Sequence, residues 1–317
     1  MPPDAKISIL SADRAPLYDE VASGDLSIRI IHDRLYHGHI LRFAPFAEME
    51  RIGALTRGLL EERFAPHDPQ EVHRHFAADA LADRIVTVQR DYTRCDEIRR
   101  SWQEMFGAIG FEPEATARDR LMLRFQLHQE PDEEQRWLRG ATTVGFHRDT
   151  WGTNLYAQVN WWAPVYPITE GRSFAFYPEL WDKPIANSSI DFDMAEAMRL
   201  VRERNRRPDP GDIVPKPLER LDLRQAQPVV IDCGSIIAFS SQHAHAGIQN
   251  NSGLTRISLE TRTLVIDDYL SGRGAPNVDG RARWASPGLF RRLSDGTPLV
   301  EILGLDRLIP FEGPWPE

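Results

Sequence analysis

The sequence has little cysteine and no long apolar run, and each absence excludes a class of protein. Its 317 residues include 2 cysteines, Cys95 and Cys233, which lie far apart. Without CxxC or zinc-type spacing, a structural zinc site and a disulfide framework are excluded, and two reduced thiols are typical of a cytoplasmic protein. No apolar run approaches the roughly 18 residues of a membrane span, and the N-terminus lacks the layout of a secretory signal. We therefore expect a soluble chain with no membrane partner.

Positive charge is also scarce. The chain has 38 Lys+Arg against 47 Asp+Glu, which gives a formal net charge of −9 at pH 7. A general nucleic-acid binder would normally present a basic face, so we expect no nucleic-acid partner. A small anionic substrate is still allowed, because a local site can be basic inside an acidic protein.

The apolar pattern changes from helical to strand-like after the first third of the chain. Residues 46–64 and 95–109 carry apolar side chains at helical spacing. From residue 120 onward, short segments rich in β-formers alternate with turns. Two helices followed by about seven or eight strands predict a mainly β fold with flanking helices. The predicted strands are 121–128, 155–165, 172–177, 228–231, 235–240 and 256–266, and a further helix is predicted at 193–206.

Histidines are the most informative residue type in this sequence. On a strand, residues i and i+2 point to the same face, so a pair with this spacing can bind one metal ion. Most such pairs are surface or structural residues, and context favours the pair that follows a strand-like segment and includes a carboxylate. With one more histidine, that pair makes a two-histidine-one-carboxylate set, which holds Fe(II) and leaves three coordination positions open. The four pairs are His37 and His39, His73 and His75, His147 and Asp149, and His243 and His245.

The downstream histidine must be His243 or His245. Ten residues separate His245 from Arg256, which begins a strand whose alternate residues Arg256, Ser258, Glu260 and Arg262 share one face. A guanidinium aimed into a cavity is a natural bidentate partner for a carboxylate. This spacing favours His245 as the ligand, and it leaves His243 as a support for His245 or as the alternative ligand.

The set His147-x-Asp149, His245 and Arg256-x-Ser258 resembles the non-haem Fe(II)/2-oxoglutarate-dependent oxygenases. The best overall likeness is to the phytanoyl-CoA dioxygenase-like branch, and it spans residues 120–267, about half the chain. Segments 160–178 and 245–253 resemble the central strand pair and the distal-histidine loop of that family. The family's usual Pro-Gly-Ser-His is replaced by residues 178–181 (Pro-Glu-Leu-Trp), and an insertion at 179–227 follows. The substrate of better-known members is therefore not transferred to this chain.

The resemblance implies a double-stranded β-helix, which is a jelly-roll or cupin-like barrel. Residues 1–317 would form a single oxygenase domain, with 1–119 as a helical buttress, 120–267 as the jelly-roll core and 268–317 as a C-terminal extension. Fe(II) would be the metal, and 2-oxoglutarate and O2 the cosubstrates. The implied metal ligands and catalytic residues are His147, Asp149 and His245.

The resemblance also implies roles for residues around the metal. Arg256 would pair with the C5 carboxylate of 2-oxoglutarate and Ser258 would be a second donor. Arg262 would face the C1 carboxylate, the substrate or Glu260. Other cofactor-side candidates are Gln126 and Asn160, and the substrate-side candidates are Arg124, His128, Trp151 and Trp162.

The implied reaction is hydroxylation of an unactivated C–H bond of a small molecule, with release of succinate and CO2. Asp149 favours hydroxylation, because related halogenases carry a small residue where chloride binds, whereas desaturation and ring closure stay open. The substrate would be an anionic, amino-acid-like, sugar-like or natural-product molecule, and a homodimer is compatible with the sequence. The alternatives are a cupin-type metal-dependent isomerase or epimerase, which needs no Arg256-x-Ser258, and a non-catalytic jelly-roll ligand-binding protein, which needs no open iron positions.

Overall fold

The structure is a computed structural model of the chain that describes residues 16–130, 141, 143–193, 214–304 and, for the backbone alone, 309 and 310. Within these ranges the chain is mixed α/β, with one large antiparallel sheet and more helix than the sequence pattern predicts. The described helices are α1 (Ile28–Tyr36), α2 (Ala47–Phe64), α3 (Val72–His75), α4 (Ala78–Arg94), α5 (Asp96–Ile109), α6 (Thr150–Thr153), α7 (Ile266–Leu270) and α8 (Leu299–Ile302).

Five of these helices precede residue 110 and cover one face of the large sheet. The two predicted helices are confirmed as α2 and α5, whereas α1 and α4 were not predicted. Helix α5 begins with Asp96 and Glu97, whose charges suit the positive end of the helix dipole. It ends at Gly110, which has φ 105° and supplies the left-handed cap that other residues rarely adopt. The expectation of a mainly β chain is therefore corrected to mixed α/β.

Strand β10 is the centre of the large sheet. The order of the sheet is β1-β2-β8-β5-β10-β3-β12, and β4 also pairs with β10 beside β3. All neighbours are antiparallel except β1 and β2. The predicted long strand at 256–266 is confirmed as β10. The strands of this sheet are β1 (Asp19–Val21), β2 (Leu41–Phe43), β3 (Thr116–Arg118), β4 (Met122–Gln126), β5 (Val159–Pro164), β8 (Ile236–Ser240), β10 (Arg256–Val265) and β12 (Arg291–Arg292).

A small second sheet faces the large one. It has the antiparallel order β7-β6-β9, and an apolar cluster with Trp162 and Phe239 from the large sheet and Phe174 and Phe176 from the small sheet joins the two. Among the described strands the two sheets do not pair edge to edge, so no closed barrel forms. The small sheet comprises β6 (Phe174–Phe176), β7 (Gln227–Pro228) and β9 (His245–Gly247), and β11 (Trp284–Ala285) pairs separately with β13 (Ile309–Pro310).

Strand β5 illustrates how the two faces of the large sheet differ. Trp161 points to the helices, where its ring packs against Phe106 and Phe111 at centroid distances of 5.5 and 5.7 Å. The next residue, Trp162, points to the small sheet and contacts Phe174 at 5.1 Å. Burial of each such ring contributes on the order of 3 kcal/mol to folding. The period of two that places the tryptophans on opposite faces also places Asn160 on the same face as Trp162.

A buried polar cluster ties α1 to α7. The Asp268 carboxylate oxygen Oδ2 lies 2.8 Å from His32 Nδ1 and accepts a hydrogen bond from the Tyr36 hydroxyl at 3.0 Å. Arg273 pairs with the other oxygen of Asp268 at 2.5 Å. Burial alone would raise the pKa of Asp268, but hydrogen bonds from His32 and Arg273 outweigh it and lower that pKa. The cluster therefore depends on an ionised Asp268.

Two predictions from the sequence remain, one for a helix at 193–206 and one for the absence of a membrane span. The helix predicted at 193–206 lies outside the described residues except for its first position, and residues 194–213 of the insertion at 179–227 lie outside them as well. Among the described helices, none is long and apolar enough to cross a membrane.

Candidate metal centre and active site

The backbone brings two histidines together across the sheet interface. His147 and His245 are antiparallel bridge partners, and each backbone N–H donates to the other's carbonyl at 3.0 Å. Two residues further along β9, Gly247 N–H donates to the Val144 carbonyl at 2.9 Å. A Cβ on Gly247 would lie 2.6 Å from a Thr143 side-chain carbon, so only glycine permits this close approach. The bridge fixes the spacing of the two imidazoles.

The three predicted metal ligands lie together. Ligand atoms of His147, Asp149 and His245 are all within 4.8 Å of one another, and they form the one such group of three among the described residues. The imidazole centroids of the two histidines are 4.3 Å apart, and His147 Nε2 lies 3.5 Å from Asp149 Oδ1. Asp149 is the N-cap residue of helix α6, two residues beyond the bridged His147. The arrangement is a two-histidine-one-carboxylate set.

The tautomers of the two histidines suit a metal. His147 Nδ1 lies 2.9 Å from the Gly145 carbonyl, and His245 Nδ1 lies 2.9 Å from the His243 carbonyl. A carbonyl can only accept, so each Nδ1 carries the proton and donates, which leaves both Nε2 lone pairs free. His243 thus supports His245 through its backbone, while its own buried imidazole packs against Trp181 at a centroid distance of 4.6 Å.

A hydrogen-bond chain orients the Asp149 carboxylate. Asn160 on β5 donates to Asp149 Oδ2 at 2.6 Å and accepts from Gln158 at 2.9 Å. Arg262 on β10 lies 3.7 Å from Asp149 Oδ1 and donates to Asp119 at 3.2 Å. Burial alone would raise the pKa of Asp149, but Arg262 and the contact with His147 outweigh it and hold that pKa well below its usual range. The carboxylate is therefore ionised at neutral pH.

The surroundings of His245 are apolar. Its ring packs against Phe239, Phe174 and Phe176 at centroid distances of 5.5, 6.0 and 6.1 Å. Burial, together with the neighbouring His147, lowers the pKa of His245 to about 4. The imidazole is neutral at pH 7, which is the protonation state that a metal ligand needs.

Arg256 is buried without a partner for two of its nitrogens. Its side chain is on the β10 face that carries Ser258 and Arg262, and the residue is 5% exposed. Nε and Nη1 of Arg256 have no hydrogen-bond partner among the described residues, and neither has Nε1 of Trp162. Burial lowers the pKa of Arg256 to about 10, against an opposing effect of Glu260. A buried guanidinium in this state can accept a carboxylate as a partner.

The remaining predicted residues have protein partners. Arg124 donates to both oxygens of Glu260 at 2.8 and 2.9 Å, and the Ser258 hydroxyl donates to Glu260 at 3.2 Å. Gln126 donates to Thr143 at 2.9 Å, close to the bridged segment. His128 accepts from the Gly253 N–H at 3.1 Å. Glu260 therefore accepts hydrogen bonds from Arg124 on β4 and from Ser258 on its own strand.

Trp151 and the other histidine pairs lie away from the ligand set. The Trp151 ring is fully buried, and its Nε1 donates to Asp279 at 2.7 Å. His39 pairs with Asp19 at 2.8 Å and His73 lies 3.0 Å from the Thr255 hydroxyl. The interpretation of these pairs as structural or surface residues agrees with those contacts.

A cavity of about 970 Å³ reaches the ligand set. His147, Asp149 and Arg262 line it at that end. Its walls come from α5, from β3 with the two residues that follow, and from the segment around β12. The sequence pattern does not predict these walls, although each contributes arginine side chains. Four of these arginines are Arg100, Arg118, Arg120 and Arg291.

Comparison with known proteins yields similarity at the level of structure. No protein-family model matches the sequence, and no curated protein matches it. Among solved structures, the chain is similar to EvdO2 from Micromonospora carbonacea var. aurantiaca, which was solved in complex with 2-oxoglutarate. The two sequences are 9% identical, the TM-score is 0.44, and the alignment covers 77% of this chain and 92% of EvdO2.

Two further structures come from nogalamycin biosynthesis. The epimerase SnoN, in complex with Fe3+, alpha-ketoglutarate and nogalamycin RO, is 13% identical at TM-score 0.37 and covers 74% of this chain and 84% of its own. The non-haem alpha-ketoglutarate-dependent carbocyclase SnoK is 14% identical at TM-score 0.35, covering 86% and 98%. At TM-scores below 0.5 these likenesses establish no activity, which depends on the residues of the site.

Proposed function

We propose that the chain is a non-haem Fe(II)- and 2-oxoglutarate-dependent oxygenase that hydroxylates a small molecule. The observation that carries the proposal is the combination of the ligand set His147, Asp149 and His245 with the unpartnered, buried guanidinium of Arg256. Neither the ligand set nor the guanidinium alone would point to this function. Together they match a metal that needs an open face and a cosubstrate that carries two carboxylates.

The donor set fits iron. Two imidazoles and one carboxylate are the facial triad of non-haem Fe(II) oxygenases, and each ligand is oriented by a hydrogen bond from or to a second group. When bound, Fe(II) and 2-oxoglutarate supply the oxidation of a C–H bond by O2, with succinate and CO2 as the other products. The protein holds the ligands in place, and the phenylalanines around His245 keep water from that side.

Arg256 would bind the C5 carboxylate of 2-oxoglutarate. Its Nε and Nη1 have no partner among the described residues, and a carboxylate bound across Nε and Nη2, or across Nη1 and Nη2, would satisfy one of them with two parallel hydrogen bonds. Trp162 Nε1, on the same inner face, would donate to a cosubstrate oxygen. The Ser258 hydroxyl, which donates to Glu260, would rotate to become the second donor that the sequence pattern predicts.

Hydroxylation is the reaction that Asp149 favours. Its carboxylate fills the coordination position that a halide would need, and Asn160 and Arg262 hold it there. Epimerisation and ring closure would start from the same oxidation, and product analysis distinguishes them. The cavity of about 970 Å³ suits a small-molecule substrate.

The fold proposed for the core is the double-stranded β-helix. Its two sheets would be the large sheet and the three-stranded sheet, with the ligand set between them. We also propose that residues 1–317 act as one oxygenase domain, in which α2, α4 and α5 brace the outer face of the large sheet.

The test is an anaerobic titration of the purified protein with Fe(II) and 2-oxoglutarate, followed by exposure to O2. We expect the visible metal-to-ligand charge-transfer band of a chelated 2-oxoglutarate, and then succinate in proportion to Fe(II). Asp149→Ala should reduce succinate to background, whereas the exposed-site control Asp267→Ala should not. Absence of the band, or undiminished succinate from Asp149→Ala, would contradict the proposal. A metal-dependent isomerase would give neither the band nor succinate.

A further inference from the structure

The cavity that reaches the ligand set is strongly cationic in a protein of formal net charge −9. Eight arginines and four aspartates line it, and neither lysine nor glutamate does. The arginines come from α5, β3 and the two residues after it, the α6 region, β10 and the β12 segment. They are Arg99, Arg100, Arg118, Arg120, Arg148, Arg262, Arg291 and Arg292.

All four aspartates are already engaged, so they do not neutralise the whole set. Asp119 and Asp149 contact Arg262, Asp96 pairs with Arg99 and Asp295 pairs with Arg292. Arg148 turns away to pair with Asp279, which does not line the cavity. Four lining arginines have no carboxylate partner among the described residues. They are Arg100, Arg118, Arg120 and Arg291.

Two of these four arginines lie directly opposite each other. Arg118 on β3 and Arg291 on β12 are partners in the antiparallel register. Like charges at directly opposed positions of a sheet repel and destabilise the pair. Among the described residues, the Arg291 guanidinium donates to the Gly296 carbonyl alone, which leaves most of its donors without a partner there. An anion between the two guanidinium groups would turn this repulsion into attraction.

Arg118 is also short of hydrogen bonds. Its Nε and Nη1 are buried and have no partner among the described residues. Buried donors are normally satisfied, and a charged donor left without a partner is costly. The charged or titratable groups that face Arg118 are Tyr92, Asp119 and Arg99, and Asp119 is taken up by Arg262. Among the described residues, therefore, no carboxylate pairs with Arg118.

We propose that Arg118 and Arg291, flanked by Arg100 and Arg120, form a subsite for an oxyanion group of the substrate. The substrate class is a small molecule that carries a phosphate, sulfate or carboxylate at one end and presents its reacting carbon to the ligand set at the other end. Guanidinium pairs bind such groups bidentately. The assignment of the reacting end depends on the proposed function, whereas the anion subsite depends only on the arginines.

The experiment measures binding of inorganic phosphate by calorimetry and by thermal shift, in the presence of a chelator and without 2-oxoglutarate. We expect wild-type protein to bind phosphate and to gain thermal stability. Arg291→Gln and Arg118→Gln should each weaken the affinity between about tenfold and a hundredfold, because each loses a charge-assisted contact. Arg224→Gln removes the same charge from an exposed arginine paired with Asp222 and should leave the affinity unchanged.

Arg291 is exposed, so its variant tests the subsite even if Arg118→Gln fails to fold. Unchanged phosphate affinity in Arg291→Gln would overturn the proposal. So would a phosphate response that survives Arg291→Gln but disappears in Arg256→Gln, because phosphate would then occupy the cosubstrate pocket. Because metal and cosubstrate are absent, failure of the oxygenase test leaves this result standing, and failure here leaves the oxygenase proposal standing. Repeating the titration with sulfate and acetate distinguishes the kinds of oxyanion.

Discussion

Replacing Arg256 should weaken 2-oxoglutarate binding without destabilising the cosubstrate-free protein. Most buried arginines behave differently, because their removal breaks contacts that hold the fold together. Arg256 has unpartnered Nε and Nη1 atoms, so its substitution leaves no protein group at those atoms unsatisfied. The two effects, on ligand affinity and on stability, can be estimated separately.

The affinity effect follows from two charge-assisted hydrogen bonds. Each contributes about 1.5–3 kcal/mol, so Arg256→Gln should lose about 3–6 kcal/mol of 2-oxoglutarate binding. At about 1.4 kcal/mol per tenfold, this is a loss between about a hundredfold and about ten-thousandfold. Arg256→Lys keeps the charge but loses the planar fork, and we expect an intermediate loss of about tenfold to a hundredfold.

The stability effect has the opposite sign. Burial lowers the pKa of Arg256 to about 10, well below its usual range. At 1.36 kcal/mol per pKa unit, the charged form is disfavoured in the fold by ~3 kcal/mol. Arg256→Met removes that penalty while it keeps the apolar stem. Without cosubstrate it should unfold at the same denaturant concentration as wild type or at a higher one.

The assay is anaerobic titration with 2-oxoglutarate at saturating Fe(II), paired with urea unfolding of the cosubstrate-free protein. Arg57→Gln is the matched control, because Arg57 is half-buried on the helical side of the sheet and donates to the Val165 carbonyl. It should leave 2-oxoglutarate affinity unchanged. The reasoning is refuted if Arg256→Gln binds 2-oxoglutarate like wild type, or if Arg256→Met loses several kcal/mol of stability.

Two further predictions concern hydrogen bonds inside the protein. Asn160→Ala removes the donor to Asp149 and should weaken Fe(II) binding about 10- to 100-fold, as measured by metal titration. The circular dichroism spectrum should change little. Fe(II) affinity equal to that of wild type would show that this hydrogen bond does not orient the ligand. Asp268→Asn should cost about 2–4 kcal/mol of stability at pH 7, because His32 loses its buried anionic partner, whereas the exposed control Asp267→Asn should cost little. The pKa of Asp268 is lowered by folding, so its stabilisation is complete above about pH 4 and is lost as the pH falls further. The stability difference between wild type and Asp268→Asn should therefore shrink below about pH 4, and a constant difference would contradict this origin.

The sequence predicts those parts of the fold whose environment repeats with a fixed period. Strand β10 was predictable because Ile257 and Leu259 pack on the helices while Arg256 and Ser258 face the small sheet, so polarity alternates at every residue. Helix α4 has a visible signal as well, since its buried residues recur at spacings of three and four, but many charged residues interrupt the pattern. That helix and α1 account for the correction from mainly β to mixed α/β.

The ligand set was predictable from spacing, although the way it is built was not. His147 and Asp149 were expected at the end of one strand. In the structure a single backbone bridge holds His147 against His245, and Asp149 belongs to the first turn of a short helix. One bridge and one helical turn carry no periodic signal, so the sequence predicts which residues meet but not the backbone that brings them together.

The cationic wall could not be predicted from the sequence at all. Arg118 and Arg291 are 173 positions apart, and they meet because β3 and β12, of three and two residues, pair at the sheet edge. Strands this short show no alternation that distinguishes them from loops. The net charge of the chain does not reveal these positive charges either, because the chain as a whole is acidic. Opposed like charges can be recognised only once the register is known.

The register also explains how one site can hold two oxyanions without exchanging them. Arg256 and Arg262 lie six residues apart on β10, which corresponds to about 20 Å along the strand. Arg262 contacts Asp149 of the ligand set, and Arg118 lies opposite Thr263, one residue further along. Thr263 is on the face of β10 that is turned to the helices, where its hydroxyl accepts from Trp161, so its partner Arg118 is on that face as well, beside Tyr92 and Arg99. Arg256 and Arg262 are on the opposite face of β10, with the ligand set. The cavity reaches both Arg118 and the ligand set, so a substrate oxyanion at Arg118 and a cosubstrate carboxylate at Arg256 would be held on different faces of the sheet.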